Sequence, residues 1–405
     1  MKPTGPTEAQ HHTAHHVAHN DPHYQDADGH DLHASQPGRS PASAGVRMRA
    51  QLLSRILICR TDNLGDVVLT LPLAGYLKQV LPGVRVDFLC RGYAAPLVLQ
   101  CRHVDQVLVL EDLADPARRF ADEGYDAVIF AFPNRRLAQA ARRARIAQRV
   151  GTSHRFYHWY TCNRLAHFSR VRSPLHEAQL NFELLRPLGI DYVPARGDIG
   201  ALYGLAAPQL AAVDALCESG WFNVVLHPKS NGNGREWPLA HYAALARRLQ
   251  SVPGVRVWVT GSAAEGALLE REIGALFAMP HVRNLCGRFD LAGLVALIGS
   301  ADGLVASGTG PLHIAAALGR PALGLFPPSA PIHAGRWGAL GARAQSLCAV
   351  RRCDTCTGNA HCTCMHAIGV DAVAATVLGW REDHLKQLGK PAPPTQHPLA
   401  ALTEA

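Results

Sequence analysis

The chain has 405 residues, 48% of them hydrophobic and only 6% aromatic, which suits two or three domains with a large aliphatic α/β core. Its net charge of +8, from 40 Lys+Arg against 32 Asp+Glu and carried almost wholly by arginine, favours an anionic ligand. No apolar run reaches the roughly 18 residues of a membrane-spanning helix, and the N-terminus lacks a secretory pattern, so the expected compartment is the cytoplasm.

Residues 1–47 differ in composition from the rest. His11, His12, His15, His16, His19, His23, His30 and His33 stand among Ala, Asp, Gly and Pro, with too little apolar surface to offset ordering entropy. A disordered tail is expected, and its histidines are too irregularly spaced to define a metal site. From residue 48 the pattern alternates strand and helix. Apolar runs at 55–60, 84–90, 106–110 and 126–132 form one series, and runs at 223–227, 255–260, 303–306 and 321–326 form a second. Alternation of this kind predicts parallel sheets covered by helices. The break falls near 203–220, giving an N-terminal Rossmann-like domain over 48–205, a C-terminal one over 206–390, and a second disordered tail at 391–405.

The first series opens with Ile56 through Pro72, where an apolar strand passes through a glycine turn into an apolar helix. Asp66 stands where that helix begins, at the crevice where open α/β sheets bind ligands. Two roles are open to it: a base held by a rigid element, or an N-cap for the helix. The densest basic stretch follows, with Arg135, Arg136, Arg142, Arg143, Arg145, Arg149 and Arg155. Without interleaved aromatics it reads as a solvated helix face rather than a nucleic-acid surface.

In the second series, Ser307 to His313 (Ser-Gly-Thr-Gly-Pro-Leu-His) links a short strand to a helix over 314–318. Its glycines permit close backbone approach, and the free amides of the helix start with the Thr309 hydroxyl suit a diphosphate. A tight packing turn is the competing reading. Cys59, Cys90, Cys162, Cys217 and Cys286 are scattered and read as reduced packing residues. Cys353, Cys356, Cys362 and Cys364 leave open a zinc site, a disulfide or reduced structural thiols.

Four blocks in order resemble glycosyltransferase family 9, the family of the lipopolysaccharide heptosyltransferases. They are Arg60-Thr61-Asp62-Asn63-Leu64-Gly65-Asp66, His227-Pro228-Lys229 with Arg235-Glu236-Trp237-Pro238, Thr260-Gly261 with Glu265, and Thr309-Gly310-Pro311-Leu312-His313. The likeness runs over about 54–380 and includes His176-Glu177. It implies a GT-B architecture: two Rossmann-like domains facing a cleft, with acceptor on the first and nucleotide-sugar on the second. By position it implies Asp66 as general base, Arg235 on the donor phosphates, Glu265 on the ribose and Phe289 on the nucleobase. Thr309, Gly310 and His313 would form the diphosphate turn, with Lys229 and Gly261 also donor-binding. It implies inverting transfer from ADP-heptose to an anionic lipopolysaccharide-core glycolipid, without cofactor or metal, and leaves open peripheral association with the cytoplasmic face of the inner membrane. The chain departs from many heptosyltransferases at Gly308, where they carry Asp. Ser307 is the nearest replacement for that sugar contact. A different nucleotide-sugar donor is therefore the first alternative, and a non-catalytic nucleotide-sugar or metal-binding protein the second. No G-x-G-x-x-G follows the first strand, which disfavours a dehydrogenase.

Overall fold

A computed structural model describes residues 16–18, 52–232, 234–353 and 363–389. The strands are β1 (His16–Ala18), β2 (Arg55–Cys59), β3 (Arg85–Cys90), β4 (Gln106–Val109), β5 (Ala127–Phe130), β6 (Gln148–Thr152), β7 (Arg164–Ala166), β8 (Phe222–His227), β9 (Val255–Val259), β10 (Val282–Asn284), β11 (Gly303–Ser307), β12 (Ala322–Leu325) and β13 (Ala344–Cys348). The first sheet has the order β4-β3-β2-β5-β6-β7 and the second β13-β12-β11-β8-β9-β10, with β1 added to the β13 edge. Numbered within its own half, each six-stranded set runs 3-2-1-4-5-6, the Rossmann order. All pairings are parallel except β1 on β13, where His16 lies opposite Cys348. The rest of the two expected tails lies outside the described residues.

The eight apolar runs read from the sequence all become strands; the central ones are buried on both faces, while β4, at the sheet edge, is only partly buried. β1, inside the tail expected to be disordered, was not anticipated, and neither were β6, β7, β10 and β13. Their sequences, QRVGT, RLA, VRN and AQSLC, are short or polar, and their residues are only partly buried near the sheet margins. At the boundary, the Ala206 amide donates to Gln100 O at 3.1 Å, which keeps that residue on the first half. The short helix Ala211–Asp214 packs instead against Leu291–Ser300 of the second.

The first strand of each half lies beside its fourth, β2 next to β5 and β8 next to β11, with crossovers leaving to opposite sides. Such switch points open a crevice at the strand C-termini. The two crevices face one another, because the helix Leu64–Val68 packs directly on the helix Gly310–Ala317. Gly65 and Gly310 make this approach possible: a Cβ on Gly310 would lie 3.0 Å from Leu64 Cβ, and one on Gly65 3.0 Å from His313 Cδ2. No helix among the described residues is long and apolar enough to cross a membrane.

The C-terminal helix Val370–Gln387 closes the second half by laying Trp380 over Gly303, where a Cβ would meet the indole at 2.5 Å. Trp380→Ala should lower the unfolding free energy by about 3–5 kcal/mol, the usual cost of emptying a large buried aromatic site. Chemical denaturation checks this, and a loss below about 1 kcal/mol would mean that the helix does not close that core.

Candidate active site

Asp66 is the third residue of its helix, and Asn63 occupies the N-cap position without a side-chain cap bond. The capping role is thereby removed, and the carboxylate is committed elsewhere. Arg60, 3% exposed, reaches back under the turn: its Nε donates to Asp62 Oδ1 at 2.6 Å and its Nη2 to Asp62 Oδ2 at 2.9 Å and also to Asp66 Oδ1. Its Nη1 donates to Asn181 Oδ1 at 3.3 Å and to Glu177 Oε1 at 3.4 Å. Glu177 in turn accepts from Arg170 and from Arg336. Three carboxylates, of Asp62, Asp66 and Glu177, are thus matched by three guanidinium groups, of Arg60, Arg170 and Arg336.

Arg336 belongs to the second half, on the short helix Ala334–Trp337, so the cluster spans the cleft. Two further bonds fasten the same seam. His176 Nδ1 accepts from the Ala178 amide at 3.1 Å, which leaves Nε2 to donate to Gly338 O at 2.7 Å. Arg196 Nη2 donates to Gly335 O, also at 2.7 Å. Burial pushes the Asp66 carboxyl up to about 6; Arg60 opposes that rise, while Asp62 and Glu177 add to it.

The opposite wall is built at the C-terminal ends of β8, β9 and β11. The helix Gly310–Ala317 starts at Thr309 with Pro311 in its first turn, yet the Thr309 hydroxyl makes no cap bond. Thr309 Oγ1, His313 Nδ1 and Arg235 Nε are all buried without a hydrogen-bond partner among the described residues. Burial lowers His313 to about 4, so it stays a neutral imidazole near pH 7. The loop before Arg235 presses on the turn, since a Cβ on Gly234 would lie 2.9 Å from Gly308 O. Beyond β9, Gly261 O accepts the Gly287 amide at 2.9 Å, which draws the loop carrying Phe289 toward Glu265. Glu265 also closes a capping box, its Oε2 accepting the Ser262 amide at 2.7 Å.

Two expected donor-side residues have other partners. Lys229 is bound to Glu236, which also takes the Ser230 amide at 2.8 Å, so it is not a free cation. Ser307 is fully buried and its Oγ accepts the Trp237 amide at 3.1 Å; it therefore cannot replace a sugar-binding carboxylate. The space beside Gly308 is filled by Phe326, whose Cε1 lies 2.8 Å from where a Cβ would stand. Arg60, Arg170, Glu177, Arg336 and Phe326 were not anticipated as site residues. Glu177 stood in a segment recognised as family-like, but nothing in the sequence says that it meets Arg336. The thiol cluster is incomplete here, because Cys356 and Cys362 lie outside the described residues.

Two facing Rossmann sheets with polar walls at both switch points define an α/β enzyme of GT-B architecture. Comparison with known proteins agrees. The sequence model described as glycosyltransferase family 9 (heptosyltransferase) matches residues 116–365, and the chain belongs to that family. It is 29% identical over 313 residues to lipopolysaccharide heptosyltransferase 1 of Pseudomonas aeruginosa, covering 70% of this chain and 81% of that protein. Against heptosyltransferase 1 of Escherichia coli K12 the identity is 25% over 309 residues, covering 70% and 91%. The structure of the ADP-heptose lipopolysaccharide heptosyltransferase II of E. coli superposes with a TM-score of 0.65 at 20% identity, over 82% of this chain and 99% of that one. The chain is accordingly a glycosyltransferase, not a non-catalytic binding protein.

Glu177→Gln removes a negative charge that raises Asp66 and leaves its arginines in excess, so the acid limb of the pH–rate profile should move below pH 6. An unmoved limb would show that Glu177 is only structural. Gly308→Asp should destabilise the protein through its contact with Phe326, and Phe326→Ala should relieve that effect. His227 is also lowered to about 4 by burial. Unfolded imidazoles titrate first, so these two histidines should make stability fall as pH drops from about 6.5 toward 4, measurable by denaturation at stepped pH.

Proposed function

We propose that this protein transfers a heptose from ADP-heptose to a sugar hydroxyl of a lipopolysaccharide-core glycolipid, with inversion at the anomeric carbon and without a divalent metal. The observation that carries the reading is the placement of a buried carboxylate, Asp66, across the cleft from a helix start with unpartnered polar atoms. In the proposed step the acceptor oxygen bonds to the anomeric carbon while its proton passes to an Asp66 oxygen. The bond from that carbon to the diphosphate breaks, and its electron pair leaves on ADP. A carboxylate raised to about 6 is mostly ionised at neutral pH and still basic enough to take the proton.

Charge growing on the leaving diphosphate would meet the amides at the start of the Gly310–Ala317 helix, the Thr309 hydroxyl and the Arg235 guanidinium. These groups supply fixed positive potential where a metal-dependent enzyme would place a cation. Neutral His313 can hydrogen-bond at the turn without bringing a second full charge. Glu265 has a carboxylate oxygen left beyond its capping bond for a ribose hydroxyl, and Phe289 offers a ring to the base. The named relatives, lipopolysaccharide heptosyltransferases, support a heptose donor and a lipopolysaccharide acceptor; work at the cytoplasmic face of the inner membrane belongs to the proposal through its glycolipid acceptor.

A second donor is favoured by one feature. Phe326, itself buried, fills the space beside Gly308 and leaves no room for a sugar-binding carboxylate there. A nucleotide-sugar lacking the corresponding hydroxyl would lose less there than ADP-heptose.

Asp66→Asn keeps the shape and an acceptor oxygen but cannot take a proton, so turnover should fall by about 10²–10⁴ with ADP binding within a few fold. Activity close to the parent would remove Asp66 as base. Transfer should persist in EDTA, measured as ADP release with a matched acceptor; a loss restored by one added metal would overturn the metal-free mechanism.

A further inference from the structure

The arginine stretch reads from sequence as a solvated helix face without aromatics. Folding changes its company. After β6 the chain forms the short helix His158–Thr161, which packs against the helix Arg135–Arg143. That packing sets Tyr160 among Arg142, Arg143 and Arg145 around a surface depression of about 450 Å³. Tyr160 also stands edge-to-face with Phe156, their rings 6.0 Å apart. Phe156 is 84% exposed and Trp159 61%. Arg142, Arg143, Arg145 and Arg155 are exposed as well, and none makes an ion pair among the described residues.

The aromatics are presented rather than loosely hung. His158 is fully buried and bonds through Nδ1 to Thr152 O at 2.9 Å, while Trp159 Nε1 donates to Ser153 O at 2.9 Å. Three exposed rings beside exposed cations match an interface that is apolar within and negative at its surface. The patch starts beyond the C-terminal end of β6, the edge of the sheet that borders the cleft. It then runs down the flank to Arg145, just before β6.

We propose that Phe156, Trp159 and Tyr160, with Arg142, Arg143, Arg145 and Arg155, form a docking surface for an anionic lipid bilayer. Trp and Tyr lodge at the headgroup level and Phe beneath it, while the guanidinium groups take lipid phosphates. A base-stacking nucleic-acid surface would use similar residues, but it needs a groove that tracks a strand, and these rings border a shallow depression beside one helix end. The assignment stands apart from the identity of the donor sugar.

Vesicle sedimentation of the full chain tests it. Binding is expected to vesicles with about 30% phosphatidylglycerol in phosphatidylcholine, to be weak on phosphatidylcholine alone, and to fall in about 1 M salt. Arg142→Gln with Arg143→Gln should weaken partitioning by about fivefold per arginine. Arg247→Gln with Arg271→Gln, exposed arginines of the second half, should leave it within about twofold. Phe156→Ser with Trp159→Ser should abolish the salt-resistant part, while melting temperature, ADP binding and transfer to a lipid-free acceptor stay at parent values. Three results would overturn the proposal: no binding to anionic vesicles, equal loss in the Arg247/Arg271 control, or displacement of the protein from vesicles by a single-stranded oligonucleotide at stoichiometric amounts. Loss of transfer to the lipid-free acceptor in the parent would instead count against the proposed reaction.

Discussion

The bond from Arg60 to Asp66 is the constraint on which the rest of the site depends. A carboxylate buried to this degree would ordinarily take up a proton, and the guanidinium beneath it resists that. Arg60 is itself buried, and needs Asp62 and Glu177 to remain there. Glu177 then requires Arg170 and Arg336, and Arg336 comes from the other half of the molecule. Such networks add little net stability, because desolvation offsets most of the attraction. What this one fixes is position: it aligns the two halves and sets the charge of the proposed base by the same contacts.

The facing wall has the opposite character. Its polar atoms at Thr309, His313 and Arg235 are buried and unmatched, each at a cost of about 1–3 kcal/mol. Acceptor oxygens of the proposed donor diphosphate are the partners that these three groups fit. The proposed reaction divides the two walls accordingly: one is internally satisfied, and the other would be satisfied by the donor.

Both Rossmann units were legible in the sequence because their central strands are doubly buried and therefore unbroken apolar runs, as in β2 and β8. β7 and β10 escaped because three residues at a sheet edge leave no periodic signal. Asp66 and Thr309 stood out through local grammar, a strand, a turn and a helix start, which sequence order preserves, whereas His313 entered only through the family resemblance. Arg336 and Glu177 lie 159 positions apart and meet only when the halves close, so no local pattern announces them. Lys229 shows the converse: its block was recognisable, yet its ammonium is taken by Glu236 seven residues later.

Gly308 shows how a single position can mislead when its neighbours in space are unknown. Taken alone, glycine in place of a carboxylate is a lost hydrogen-bond acceptor, and the nearest hydroxyl looks like its substitute. In the fold Ser307 points away and holds the Trp237 amide, and the vacated space belongs to Phe326. The two sites therefore constrain one another: a side chain at 308 needs a smaller residue at 326, and the ring at 326 needs glycine at 308. The packing at this turn is then a property of the pair. Loss of the carboxylate cannot be assessed as a missing bond alone, because a buried aromatic ring fills the space beside Gly308 and any side chain at that position would have to displace it.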